Sequence, residues 1–115
     1  MGLGMAICYF TNIGYTVGIP LTDSQDYDLI IDDGKSLKRV QVKTCSYKRR
    51  AYEVNLSIKG GNRTSRGKIK RFDNTKCVFI FIVTETLEKY LIPSKELKAR
   101  SNLVLGPKYK KYLLK

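Results

Sequence analysis

Apolar and polar positions alternate in two rhythms along this chain. Leu3, Ala6, Ile7, Phe10 and Ile13 recur at helical spacing, which predicts an amphipathic helix over residues 3–13 closed by Gly14. After it the period shortens to two. Thr16–Gly18 predicts a short strand stopped by Pro20, and Tyr27–Asp32 and Lys38–Cys45 predict two strands joined by a turn at Asp33-Gly34. Tyr52–Ile58 alternates as a further strand, and residues 60–70 ("GGNRTSRGKIK") read as a loop. Residues 77–84 ("CVFIFIVT") are apolar on both faces, the mark of a central strand covered from both sides. Tyr90–Ile92 pairs back on it, Pro93-Ser94 starts a short helix over about 94–99, and "LVLGPKYKKYLLK" supplies a last strand and a basic end. The sum is one α/β domain over residues 1–115, a leading helix followed by a mixed sheet.

Composition narrows the chemistry. Histidine is absent and the three cysteines (Cys8, Cys45, Cys77) form no CxxC pair, which excludes zinc fingers, histidine general bases and Ser-His-Asp triads. The cysteines read as reduced thiols packed in a cytoplasmic protein. The longest apolar run, Cys77–Val83, is too short to span a bilayer, and the start has no signal-peptide pattern, so neither membrane nor export is expected.

The net charge of +12 calls for a polyanionic partner, most commonly nucleic acid. Its distribution says more. Asp23, Asp26, Asp28, Asp32 and Asp33, half of the ten acids, fall within residues 23–33, whereas residues 34–52 hold seven Lys/Arg and no acid. An acidic patch beside phosphate is unfavourable unless a cation lies between them, the first hint of a metal.

The stretch "YDLIIDDGKSLKRVQVKT" (27–44) sharpens that hint. Strand alternation puts Arg39, Gln41, Lys43 and Cys45 on one face and Val40 and Val42 on the other. A two-residue turn sets Asp28 opposite Arg39, a four-residue turn sets it opposite Gln41, and either register leaves Asp28 on the face of Gln41 and Lys43, which only an odd loop or a bulge would break. A carboxylate, an amide oxygen and an ammonium then converge from adjacent strands. One reading is a plain ion pair contributing ~0–1 kcal/mol. The sharper one is a hydrolytic site: Asp28, the Gln41 side-chain oxygen and the Val42 carbonyl offer hard ligands to Mg²⁺, and Lys43 orients water or offsets charge on the phosphoryl group.

"YDL" followed, thirteen residues after its Asp, by "QVK" resembles the core motif of the PD-(D/E)XK nuclease superfamily, in the variant where Gln replaces the acid. With its flanks, from "NIGYTVGIPLTDSQDYDLIIDD" to "LGPKY", the chain is similar to the group I intron-associated, homing-endonuclease branch of that superfamily. The resemblance implies a restriction-endonuclease-like mixed sheet flanked by helices. It also implies Mg²⁺-dependent (or Mn²⁺-dependent) cleavage of duplex DNA by a homodimer or homotetramer, with no organic cofactor. Carried over, Asp28 and Gln41 are metal ligands and Lys43 is the catalytic lysine. Two features depart from the pattern. The leading helix has no counterpart of the carboxylate that many relatives place there. Gln41 is neutral, so Asp28 is the one clear anionic ligand, with Asp26 on the same strand face as a helper and Asp23 as a turn cap. Mg²⁺ then binds weakly until DNA adds its own phosphate oxygens.

Basic segments complete the expectation. Lys48, Arg49 and Arg50 follow the "QVK" strand, Arg63, Arg66, Lys68, Lys70 and Arg71 sit in the glycine-bearing loop, and Lys108–Lys111 carry a third patch. All are candidate phosphate contacts, making DNA binding salt-dependent. Two other readings stay open: a resolvase for Holliday junctions or other branched DNA, built on a similar site, and a non-catalytic DNA-binding protein with a degenerate nuclease site.

Overall fold

The computed structural model describes residues 2–22, 26–48, 51–56, 58–59, 69–70, 75–98 and 102–115, of which Lys48, 58–59 and 69–70 are described by backbone alone. Its one α-helix among these residues, α1 (Gly2–Asn12), ends as its sequence requires. Gly14 takes a φ of 92°, donates to the Thr11 carbonyl at 3.1 Å, and lets Tyr15 N–H reach the Phe10 carbonyl at 3.0 Å, the double bond of a Schellman stop.

Ten strands follow. They are β1 (Thr16–Gly18), β2 (Leu29–Asp32), β3 (Leu37–Lys48), β4 (Ala51–Asn55), β5 (Ile58–Lys59), β6 (Ile69–Lys70), β7 (Phe79–Thr84), β8 (Lys89–Pro93), β9 (Asn102–Leu105) and β10 (Leu113–Leu114). The main sheet runs β1-β2-β3-β7-β8-β10, with β4 attached to β3 and β9 to β4. All its pairings are antiparallel except β3–β7, where Val40–Cys45 run parallel to Phe79–Thr84. A parallel neighbour needs a crossover, and the segment carrying β4, β5 and β6 provides it. This is the mixed, restriction-endonuclease-like sheet expected from the sequence.

Both faces of β7 are apolar. Ala6 and Phe10 of α1 pack on Leu29, Ile31, Val40, Phe81 and Val83. On the reverse face, Ile80, Ile82, Ile92 and Cys45 pack beneath Val54, Leu56, Leu97, Leu103, Leu105 and Tyr109. Among the described residues one face carries the α-helix, and the β4–β9 arm and the 3-10 turns Ser94–Glu96 and Pro107–Tyr112 cover the other.

Several expected boundaries shift. The strand expected over 38–45 runs on to Lys48, because at Ser46 it exchanges β7 for β4 as its partner. The single strand expected over 52–58 divides: β4 pairs with β9 as far as Asn55, while Ile58–Lys59 pairs with β6. Residues 69–70, expected in a loop, form β6, and residues 60–68 lie outside the described residues. The helix expected over 94–99 is a 3-10 turn of Ser94–Glu96. Among the described residues, no helix is long and apolar enough to cross a membrane.

Candidate active site

The β2–β3 hairpin adopts the four-residue register, with Asp32 opposite Leu37 and Leu29 opposite Val40. Asp28 lies outside this register: its N–H goes to Val40, already opposite Leu29, as at a β-bulge. Asp28 N–H donates to the Val40 carbonyl at 2.9 Å, but pairing as strand stops at Leu29. β3 continues alone on that side. The Asp28 side chain takes over, its Oδ2 accepting the Val42 amide at 2.7 Å. In a strand a residue's N–H and C=O point the same way. The Val42 carbonyl is therefore directed toward the edge that β2 has vacated, beside Asp28.

Gln41 and Lys43 lie on the face away from α1, since Val42 and Thr44 meet the helix: a Cβ on Gly2 would approach Val42 Cγ1 at 3.2 Å and Thr44 Cγ2 at 2.8 Å. The helix start thus backs the strand behind the trio and adds no acid to it. Gln41 is 4% exposed, and its Oε1 is buried without a hydrogen-bond partner among the described residues. An unpaired buried carbonyl oxygen costs about 1–3 kcal/mol, so a folded protein keeps one where something else will fill it. Lys43 is partly buried, and burial holds its ammonium below the usual lysine pKa while the Asp28 carboxylate pulls it back up. Asp28 itself is exposed.

Beyond the trio, Arg39 stands on the same face, its guanidinium 5.3 Å from the centre of the Tyr27 ring. Behind it, the Cys77 sulfur lies 3.1 Å from Ser94 Oγ and feels the charges of Asp28 and Asp26. None of these was singled out from the sequence as part of the site. An aromatic just before the acid and an Arg two residues before Gln41 were the available signals for the first pair. Cys77 and Ser94 come from elements whose proximity no spacing reveals.

The acidic patch does not act as one. Asp32 Oδ1 accepts the Gly34 amide at 2.9 Å, and Asp33 Oδ1 accepts the Lys35 and Ser36 amides at 2.8 and 3.0 Å while its Oδ2 pairs with Lys38. Asp26 precedes β2, so strand alternation does not carry it to the face of Asp28 as expected; it nevertheless acts on the same sulfur as Asp28. Asp23 is outside the described residues, as are Arg49, Arg50, Arg63, Arg66, Lys68 and Arg71, and only the backbones of Lys48 and Lys70 are described.

Among the described residues no three His, Cys, Asp or Glu side chains gather as a metal cluster. The donors at the end of β2 are of mixed kind: one carboxylate, one orphaned amide oxygen and one backbone carbonyl. All are hard oxygens, which suits Mg²⁺ or Mn²⁺ and not a thiophilic ion. The concavities lined by Met5, Cys8, Tyr9, Asn12, Ile13, Lys89 and Lys115, and by Thr44, Ser46, Glu53, Asn55, Thr84 and Glu85 with their neighbours, include none of the trio.

Comparison with known proteins gives the same direction. A bacterial homing endonuclease, I-Ssp6803I, superposes with a TM-score of 0.80 at 25% identity over 97% of this chain and 83% of its own. The crystal structure of MepB aligns with a TM-score of 0.46 at 16% identity over 100% of this chain and 87% of its own. No curated protein sequence matches. The sequence pattern described as PD-(D/E)XK endonuclease matches residues 2–111, nearly the whole chain, and the protein belongs to that family.

Proposed function

We propose that this protein is a divalent-metal-dependent DNA endonuclease of the homing type, hydrolysing phosphodiester bonds in duplex DNA as a symmetric oligomer. One observation carries the reading: the buried, unpartnered Gln41 Oε1 on the face of Lys43, with the Asp28 carboxylate at the point where β2 leaves β3. Asp28, Gln41 Oε1 and the Val42 carbonyl hold the ion. Mg²⁺, or Mn²⁺ in its place, supplies Lewis acidity at the scissile phosphate when bound. Lys43 orients the attacking water and offsets the negative charge that grows on the phosphoryl oxygens. Arg39, exposed on the same face, and the basic segments from Lys48 onward hold the flanking phosphates. Cutting both strands takes two such sites, hence two copies of the chain. The likeness to a bacterial homing endonuclease supports intact duplex as substrate over branched DNA.

Nicking of supercoiled plasmid with and without Mg²⁺ tests this. The expected result is cleavage that EDTA stops, lowered on the order of 100-fold or more by Asp28→Ala and by Lys43→Ala. Lys43→Ala should keep DNA affinity within several-fold, because most of the 22 Lys/Arg remain to contact phosphate. A clear nicking activity untouched by either substitution would place the chemistry elsewhere. Absence of cutting with any divalent ion, on duplex or four-way junction, would leave a DNA-binding protein.

A further inference from the structure

The α1 side of the main sheet is only partly covered. A helix is about 10 Å wide and strands lie about 4.8 Å apart, so one helix shields two or three strands. Ala6 and Phe10 of α1 pack over β2, β3 and β7. The next strands on that side, β8 and β10, present Leu91 and Leu114, which remain partly exposed. Among the described residues no second α-helix covers them. A concavity remains there, lined by Met5, Cys8, Tyr9 and Ile13 and bordered by Lys89 and Lys115.

The surface beside it is free of charge. Residues 1–22 hold none of the 22 basic and ten acidic side chains of the chain. A helix at the surface normally carries charge on its outer face, but α1 exposes Leu3, Gly4, Cys8, Thr11 and Asn12 instead. Beyond it Ile13, Ile19 and Leu21 are exposed as well. Gly4 and Cys8 lie one turn apart, and a Cβ on Gly4 would meet no atom within 4 Å, so a neighbour can approach the helix closely.

We propose that this face binds the same face of a second copy of the chain, α1 against α1 about a two-fold axis. Charge selects that occupant. DNA or an acidic protein is drawn to the basic surface and gains nothing from an uncharged one. A second copy carries +12, and Lys89 and Lys115 repel every basic part of it. Its residues 1–22 are the longest segment that escapes this repulsion. An isologous contact then sets apolar surface on apolar surface from both sides. Because Gln41 and Lys43 lie on the other face of the sheet, the contact joins copies back to back and leaves both candidate active sites open. It is separate from the contact that sets two sites on one duplex, and it does not depend on the metal site.

Sedimentation equilibrium without DNA or metal, combined with N-ethylmaleimide labelling of Cys8, tests the contact. Cys8 is exposed whereas Cys45 and Cys77 are buried, so labelling reports on this face. The wild-type chain is expected to associate, and the rate of Cys8 labelling to fall as protein concentration rises through the dissociation constant. Cys8→Arg and Ile13→Arg each place a like charge twice across the axis and should raise that constant on the order of 100-fold. Val104→Arg adds the same charge at an exposed apolar residue of β9 and should leave it unchanged. If Cys8→Arg does not fold, Ile13→Arg and the wild-type labelling decide. A wild-type chain that stays monomeric at its highest soluble concentration overturns the proposal. So does association that Cys8→Arg and Ile13→Arg weaken no more than Val104→Arg does, or association that leaves Cys8 labelling unchanged, since either puts the contact on another face.

Discussion

The β2–β3 hairpin carries aspartates at both ends, and the two ends treat them differently. At the closed end, Asp32 and Asp33 spend their oxygens on Gly34, Lys35 and Ser36 amides and on Lys38. At the open end, Asp28 Oδ2 takes the Val42 amide, and Gln41, next to Val42 on β3, carries a buried amide oxygen with no hydrogen-bond partner among the described residues. Identical side chains, four or five residues apart, thus serve as turn staples in one place and, under the proposed function, as a metal ligand in the other. What separates them is the supply of backbone N–H groups. A tight turn offers several orphan donors to the carboxylate before it, whereas a strand leaving its neighbour offers one amide and exposes carbonyls.

The sharpest way to break this comparison is to neutralise each end in turn. Asp28→Asn should cut Mg²⁺-dependent nicking on the order of 100-fold, since a ligand should matter no less than the partners that support ligands. Asp33→Asn should leave nicking at the wild-type level. Equal losses would show the hairpin acting as one structural unit. Equal indifference would remove the site from it. A second test turns on Gln41. Gln41→Leu removes the unpaired oxygen at similar volume and should raise stability by about 1 kcal/mol or more, measured by urea denaturation, while abolishing nicking. Gln41→Glu supplies the second anion that the site lacks and should lower the Mg²⁺ concentration for half-maximal nicking. A Gln41→Leu protein that is both less stable and fully active would mean the oxygen has a structural partner.

Much of this arrangement was legible beforehand, and what was missed has definite causes. The helix, its glycine stop and the strands β1, β2, β7 and β8 follow from period and punctuation. So does the shared face of Gln41 and Lys43, two apart on one strand; the out-of-register bond of Asp28 N–H to the Val40 carbonyl was not legible. The choice between the two turns was not legible: "DDGKS" suits a two-residue and a four-residue loop, and the preference for four comes from Asp33 capping Lys35 and Ser36. The division of the aspartates was hidden for the same reason, since composition counts acids and not the amides near them. β4 and β5 were read as one strand because their alternation is continuous across Leu56. Only the change of pairing partner, set by β9 and β6, separates them.

The least of the expected effects probes the closed end alone. The Lys38 ammonium, followed by the Lys35 and Ser36 amides, holds the Asp33 carboxyl well below its ordinary pKa of 3.8. A carboxyl depressed in the folded state binds fewer protons there than in the unfolded chain, so stability rises with pH across the interval between the two values. The contribution is fully present above the ordinary carboxylate range and fades as acid protonates the folded group. Asp33→Asn keeps a side-chain oxygen for the two turn amides and removes only the charge. Its Tm should therefore fall modestly below wild type at neutral pH, and the gap should narrow as pH drops below the carboxylate range. Because the group is close to solvent, added salt should narrow the gap at neutral pH as well. A gap that is constant with pH would assign the loss to altered turn geometry and not to the ion pair. That result would weaken the contrast with Asp28, because the closed end would then be held by hydrogen bonds that a neutral side chain makes equally well.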